Sequence, residues 1–390
     1  MTIANKLPAP DPIAQQHSDQ LLALIKQKIV DSGGRINFAD YMQLCLYAPG
    51  LGYYSAGSYK IGAKGDFTTA PEISSLFSRT LTQHIQDVFA QISQANILEF
   101  GAGSGKMAID ILTELEEKDA LPEHYFIIEA SADLRFRQEE SILSKIPHLL
   151  NRIVWLDTLP EKFIGVILAN EVCDAMPVHC LQFHQGRTRE RFIEYRDSEL
   201  HWCEGALSNP LLAKQGDAIQ TIAGDTHYLT EVNLASQAWL SSLADSMEQG
   251  AIFIIDYGYP MSDYYHPQRS QGTLMCYYQH QGHDNPLILQ GLQDITAHVD
   301  FTSLAQTAVD NGLDVEGFQS QADFLLAGGI TTLIPNKEDS NELSHLQISA
   351  EIKQLTLPSE MGESFKVLSL SKNLEQILSR CKIADRRYSL

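Results

Sequence analysis

The chain has 390 residues, room for two or three domains at ~150 residues each, and its 44% hydrophobic and 20% charged content exclude disorder, collagen and coiled coil. With 28 Lys and Arg against 49 Asp and Glu, the net charge is −21, which disfavours phosphate backbones and so nucleic acid, and leaves room for a basic protein partner. The longest apolar runs, such as Gly165-Val166-Ile167-Leu168-Ala169, are about five residues against the ~20 of a membrane helix, so no membrane span is expected.

Residues 1–17 are Pro- and Gln-rich and read as frayed, with neither a secretory nor a transit signal. A helix is expected from an N-cap at Ser18 through Leu21, Leu22, Ile25 and Ile29, stopping at Gly33-Gly34. A second covers Phe38–Tyr47 and ends in the breakers Ala48-Pro49-Gly50. Gly50 to Pro71 reads as a long ordered loop rich in Gly and Tyr, and Pro71 suits the first turn of a helix running to about Gln91. Strands follow at Asn96–Phe100, Tyr125–Glu129, Ile153–Asp157 and Val166–Asn170, with helices over 105–118 and 132–144. That alternation predicts a parallel sheet wound by helices. Past Pro177 the segments Val178–Phe183, Arg191–Tyr195 and Leu200–Cys203 resemble an antiparallel insertion. A helix over 234–248 feeds a fifth buried strand, Ala251–Asp256. The stretch 257–295 reads as loop-rich, 301–311 as helix and Phe365–Ser371 as a late strand. The six scattered cysteines carry no metal spacing and read as reduced thiols, which with the N-terminus predicts a cytoplasmic location.

The sharpest local signal is Glu99-Phe100-Gly101-Ala102-Gly103-Ser104-Gly105, set between a hydrophobic strand and an amphipathic helix. Alternate glycines let a backbone turn tightly and approach a ligand closely. Spacing removes three rivals. A Walker loop needs Gly and Ser or Thr where Phe100 and Met107 stand, a dinucleotide loop needs Gly at Lys106, and a nucleophile elbow around Ser104 needs Gly at Ala102.

The remaining G-x-G-x-G, with Glu99 two residues before Gly101, resembles the cofactor loop of class I S-adenosylmethionine-dependent methyltransferases. That resemblance implies Glu99, Gly101, Gly103 and Gly105 as cofactor residues, Glu129 on the ribose hydroxyls and Asp157 near the adenine amine. Further strings are more specific. They are Gly65-Asp66-Phe67-Thr68-Thr69-Ala70-Pro71-Glu72, Asn170-Glu171-Val172-Cys173-Asp174-Ala175-Met176-Pro177-Val178, Ile255-Asp256-Tyr257-Gly258, Gly272-Thr273-Leu274, His298-Val299-Asp300-Phe301 and Met361-Gly362-Glu363-Ser364-Phe365-Lys366-Val367-Leu368. Together, from about residue 20 to 372, they resemble the MidA family, whose mitochondrial members help assemble respiratory complex I. Cys173 and Met176 depart from the family pattern in packing more than in chemistry. The implied fold is α/β, a class I methyltransferase Rossmann-like doubly wound sheet of seven strands, the last antiparallel, with an N-terminal helical cap and a β-rich insertion. The implied organisation is a cap with a lid loop (1–90), a first core part (91–177), the insertion (178–230), a second core part (231–372) and a tail (373–390). The implied cofactor is S-adenosylmethionine and the implied acceptor an arginine on a protein, with a respiratory-complex subunit as candidate partner. Oligomeric state stays open.

Methyl transfer from a sulfonium is an in-line displacement served by alignment and electrostatics. An arginine nucleophile stays protonated, so a carboxylate has to hold it. Glu171, Asp174 and Asp256, at the ends of the fourth and fifth strands, are the catalytic candidates. Asn170 beside them, with Asp66 and Thr68 on the glycine-rich loop, joins the cofactor set. His280, His283 and His298 lack metal spacing and read as structural. Tyr53, Tyr54, Tyr257, Tyr259, Tyr277 and Tyr278 are candidates for a channel wall or for packing. A small-molecule methyltransferase and a cofactor-binding assembly chaperone without turnover remain alternatives; an oxidoreductase is disfavoured by Lys106.

Overall fold

The computed structural model describes residues 7–55, 68–224, 227–334 and 342–390. Its central sheet is built from β1 (Asn96–Phe100), β2 (Tyr125–Ile128), β3 (Ile153–Leu156), β4 (Phe163–Asn170), β5 (Met247–Tyr259), β6 (Asp314–Ser320) and β7 (Phe365–Lys372). The spatial order is β6-β7-β5-β4-β1-β2-β3. Strands β1 to β5 run parallel to their neighbours, and β7 runs antiparallel to both β5 and β6. This is the doubly wound sheet with an antiparallel last strand that the resemblance implies. A short strand, Val299–Asp300, adds in parallel to the end of β5.

The apolar runs sit in the middle of the sheet because both faces are covered. Side chains alternate along each strand. Val166 and Leu168 of β4 pack with Ile111 and Leu112 of helix Lys106–Glu117, while Ile167 faces Leu240 and Leu243 of helix Leu234–Ser246 on the other side. A second layer lies over the carboxyl ends of the strands. It combines helices Pro12–Asp31 and Phe38–Tyr47 with an antiparallel sheet of His179–His184, Arg187–Arg196, Glu199–Gly205 and Tyr228–Val232, edged by Ile36–Asn37. Leu21, Phe38, Val178, Ile193 and Ile295 share one core there, so cap, insertion and the stretch before residue 300 are packed as a unit.

Several expectations need correction. The first helix begins at Pro12, capped by Asp11, which accepts from the Ile13 and Ala14 N–H groups; Ser18 lies buried inside it. Pro at the first turn and an Asp before it outrank Ser18 as a start signal. The helix expected from Pro71 to Gln91 is two helices, Ala70–Ile73 and Ser75–Phe89, because Ser74 is extended and its Oγ accepts from the Leu76 N–H. The loop-rich stretch holds a three-stranded sheet, Met275–Tyr278, Gln281–His283 and Asp294–Thr296. Helix Pro210–Ala223, β6 and helix Glu342–Thr356 had no counterpart in the sequence reading. In β6 a bulge between Val315 and Gly317 breaks the alternation that would have marked it.

Gly165, in β4, pairs with Asn96 of β1 on one side and Gly250 of β5 on the other. Its φ is +141°, and a Cβ there would sit 1.9 Å from the Asn96 carbonyl oxygen. Gly165→Ala is therefore expected to destabilise the fold by about 3 kcal/mol or more, as wrong backbone conformation and a forced parting of β1 from β4 act together. Chemical denaturation of variant and wild type checks it; an unchanged midpoint would refute this reading of the strand.

Candidate active site

The order β5-β4-β1-β2 places the topological switch between β4 and β1, where open α/β sheets hold ligands beyond the strand ends. A cavity of about 410 Å³ opens there, within the range of small-molecule sites. Its floor is the glycine loop. Gly101, Gly103 and Gly105 have φ of +61°, +55° and +79°, the left-handed region, so the turn from β1 into helix Lys106–Glu117 requires glycine at all three. Glu99, at the base of the loop, lines the cavity and accepts from the Tyr125 hydroxyl at 2.6 Å; burial pushes its carboxyl up to about 7.

Glu129 stands just past β2. Its carboxylate accepts from the Ser131 N–H at 3.0 Å and from the Gln138 amide at 3.1 Å, and the same amide donates to the Gly103 carbonyl. Trp155 locks the other end of Gln138 at 2.9 Å. Burial raises the Glu129 carboxyl above its ordinary value, against the pull of those donors. The glycine loop and the acid at the end of β2 are thus one bonded assembly.

Acidic groups gather on the β4 side. Where the β4–β5 ladder ends, the Glu171 N–H donates to the Ile255 carbonyl at 2.9 Å and Glu171 takes φ +54°. Its carboxylate faces the cavity and accepts from the Asn170 amide at 3.2 Å. Asp174 Oδ2 accepts from the Tyr257 hydroxyl at 2.6 Å, while its buried Oδ1, like Asn170 Oδ1, has no hydrogen-bond partner among the described residues. Burial first, then the neighbouring Asp174, pushes Glu171 up to about 8, and burial pushes Asp174 up to about 6. Among the described residues no Lys or Arg pairs with either acid; Lys106, on the cavity wall, is held by Asp110 at 2.5 Å.

Asp256 lies behind this wall, fully buried. Oδ2 accepts from the Cys173 and Asp174 N–H groups at 2.9 and 3.2 Å, and Oδ1 from the Tyr257 N–H at 2.9 Å. It braces the turn that presents Asp174, and it is not among the residues that line the cavity. Asp157 is also placed apart: its side chain is 88% exposed and pairs with Arg135 at 2.9 Å. Thr68 is exposed, and its neighbour Thr69 takes the place on the wall; Asp66 lies outside the described residues.

The opposite wall comes from residues the sequence reading ranked low or did not name. Tyr54, Tyr257 and Tyr277 line the cavity with His298, which stacks on Tyr259 at 5.3 Å and whose imidazole burial pushes down to about 4, keeping it neutral. Asp294 and Thr296 complete that side. Glu72, on the short helix after the loop, lines the cavity and accepts from the Ser104 hydroxyl.

The arrangement suits S-adenosylmethionine: a glycine turn open to close approach, a carboxylate one strand away and, among the described residues, unpartnered acceptors at Asn170 and Asp174 and no cluster of cations such as phosphate needs. The family model described as "Putative S-adenosyl-L-methionine-dependent methyltransferase" matches residues 77–319. The chain belongs to this family. It is similar in structure to a Burkholderia thailandensis protein crystallised with S-adenosyl-homocysteine, with TM-score 0.93 and 38% identity over 99% of this chain and 100% of that one. Among curated proteins it is similar to the mitochondrial protein arginine methyltransferase NDUFAF7 of Danio rerio, 28% identical over 94% of this chain and 88% of that protein. The Drosophila melanogaster homolog is 27% identical over 92% and 86%. This chain is a methyltransferase that uses S-adenosylmethionine.

The expected cytoplasmic location does not stand. These relatives, and the human one, carry a mitochondrial location in their names. The inference failed because scattered free thiols report a reducing compartment without saying which one.

Glu129→Ala is expected to weaken cofactor binding by ~1.5–3 kcal/mol, the worth of a hydrogen bond to a charged group. Asp157→Ala, which removes a carboxylate turned to solvent, is expected to leave affinity within about twofold. Titration calorimetry with S-adenosylmethionine separates them, and equal losses in both would contradict this placement of the two acids.

Proposed function

We propose that the family enzyme acts as a protein arginine N-methyltransferase, with the guanidinium held by Glu171 and Asp174. The carrying observation is that these two enclosed acids face the cavity and that, among the described residues, no Lys or Arg pairs with either. Enclosed charge without a partner is costly, and an incoming guanidinium supplies that partner. The names of the curated relatives support the same acceptor. Bound S-adenosylmethionine supplies an electrophilic methyl on a sulfonium; Glu99, Glu129, Asn170 and the glycine turn would hold it.

The protein's own part is binding, orientation and proton handling. A guanidinium does not deprotonate at neutral pH, so its charge has to be drawn away from the attacking nitrogen, and a carboxylate on the other nitrogens does this. Methylation leaves one proton too many on the product nitrogen. Burial holds Glu171 at about 8, so in the empty site it carries its proton near neutrality; the arriving guanidinium sends that proton to water, and the resulting carboxylate takes the product's extra proton and passes it to water. Tyr257 holds Asp174 in place through its hydroxyl. A respiratory-complex subunit is the first protein acceptor to test, on the sequence resemblance.

Incubation with tritiated S-adenosylmethionine and a protein extract, followed by acid hydrolysis, tests the reading. Label is expected in methylarginine; label confined to acid-soluble small molecules, or cofactor binding without transfer, would overturn it. Glu171→Gln should keep cofactor affinity and lose about 10²-fold or more in turnover.

The same substitution has a stability signature. The folded-state value of Glu171 is raised, so its favourable contribution is present below its ordinary value and lost as pH rises through about 8. Glu171→Gln removes that loss. Without ligands, the variant should gain stability over wild type as pH rises from about 5 to 8, by on the order of 4 kcal/mol at the upper end. Thermal melts across that range read it; a variant less stable at every pH would assign Glu171 to the scaffold.

A further inference from the structure

We infer that Asp294 is the far wall of the acceptor site, a carboxylate that takes the second edge of the guanidinium gripped by Glu171 and Asp174. The cavity thereby selects a planar cation over a compact ammonium. This rests on the arginine reading above and goes beyond it by naming what sets acceptor choice.

Asp294 is 3% exposed and lines the cavity. It opens the strand Asp294–Thr296, which lies outside the seven-stranded sheet and contributes nothing to the glycine loop. In the antiparallel pairing with Met275–Tyr278 it stands directly across from Tyr277. Cross-strand partners emerge on the same face, so the phenol and the carboxylate both point into the cavity. The Tyr54 hydroxyl donates to Asp294 Oδ1 at 3.0 Å, and the Tyr54 ring stacks on Tyr47 at 5.5 Å.

The segments that carry Asp174 and Asp294 are also tied to each other. The Tyr47 hydroxyl donates to the Ala175 carbonyl at 3.0 Å, and the Ala297 N–H donates to the Asp174 carbonyl at 3.0 Å. One direct backbone link, Ala297 to Asp174, and one side-chain bond by way of Tyr47, whose ring stacks on Tyr54, thus hold the two acid-bearing segments together. The charge of Asp294 reaches across it, adding to the upward shift of Glu171. A guanidinium carries five N–H donors in one plane, and one carboxylate takes two of them on one edge. Donors left on the other edge need an acceptor if they are not to be buried unpaired. Asp294 supplies it, whereas an ammonium is a point charge that satisfies one side or the other.

The test compares wild type, Asp294→Asn and Tyr54→Phe, each checked for folding by its thermal melt. Readouts are S-adenosyl-homocysteine affinity by calorimetry and tritium transferred to a protein extract, resolved by hydrolysis into methylarginine and other methylated residues. Asp294→Asn is expected to bind S-adenosyl-homocysteine within about twofold of wild type and to lose about tenfold or more in methylarginine formation at limiting extract. Part of that loss should be recovered at high extract concentration, as for a raised KM. Tyr54→Phe, which removes one donor to the carboxylate but keeps its charge, should lose less. A folded Asp294→Asn that makes methylarginine at the wild-type rate overturns the inference. If Asp294→Asn fails to fold, wild-type transfer and KM in Tyr54→Phe overturn it instead. Label on a residue other than arginine in the wild type overturns the arginine reading, whatever the variants do.

Discussion

The active-site wall depends on a carboxylate that does not face the cavity. Strand β4 ends at Asn170 beside Ile255 of β5, which runs on to Tyr259, and the ladder between them closes with the Glu171 N–H on the Ile255 carbonyl. The next backbone donors, those of Cys173 and Asp174, have left the sheet and would be buried unpaired. Asp256 receives both, and the Tyr257 N–H as well. With those bonds made, the chain after β4 turns tightly enough for Glu171 and Asp174 to face one space, at the cost of a left-handed residue at Glu171. Such strain persists only where surrounding bonds over-determine the backbone, and here they do. Burial, with Asp174 and Glu171 close by, pushes Asp256 well above the ordinary carboxyl value, while three N–H donors pull the other way.

That explains why similar residues differ in role. Asp174, four residues past β4, and Asp256, within β5 just beyond the last β4 pair, both drew catalytic readings from the sequence. Asp256 spends its acceptors on backbone N–H groups; Asp174 keeps an oxygen beside the cavity with no partner among the described residues. The distinction depends on which backbone donors lose partners where the β4–β5 ladder ends, and that is a property of the pairing rather than of either residue. Asp157 differs by orientation. It follows β3 by one residue, yet Arg135 on the neighbouring helix captures its side chain outside the cavity.

What was legible and what was not follow the same line. Strand β1 was read to the residue, and β2, β3 and β4 to within a few, because parallel strands covered on both faces need continuous apolar runs. The glycine loop was legible because three left-handed positions admit little else. Asp294, Thr296 and His298 were not legible as a wall. The strand Asp294–Thr296, which His298 follows by two residues, is short, sits in a stretch without period, and owes its position to a core shared by Leu21, Phe38 and Ile295, which are far apart in the chain. Tyr54 and Tyr277 stood among six tyrosines with nothing in the sequence to separate wall from packing. Only the three-dimensional partners, Asp294 for Tyr54 and the cross-strand position for Tyr277, do so.

The two halves of the site are therefore built by different means. The cofactor half is local: β1, its glycine turn, the acid after β2 and Gln138 form a bonded unit within 96–155. The acceptor half is assembled from distant segments, through Tyr47 on Ala175, Tyr54 on Asp294 and Ala297 on Asp174. Loss of packing in the upper layer should consequently damage acceptor recognition before cofactor binding, since the first needs three segments in register and the second only the edge of the sheet. The glycine turn has one more tie within the central core, where Glu72, on the short helix Ala70–Ile73, accepts from the Ser104 hydroxyl. Under the arginine reading, the acids enclosed beneath the upper layer are what would hold a cationic acceptor beside the methyl donor, since a guanidinium supplies the partner they lack among the described residues.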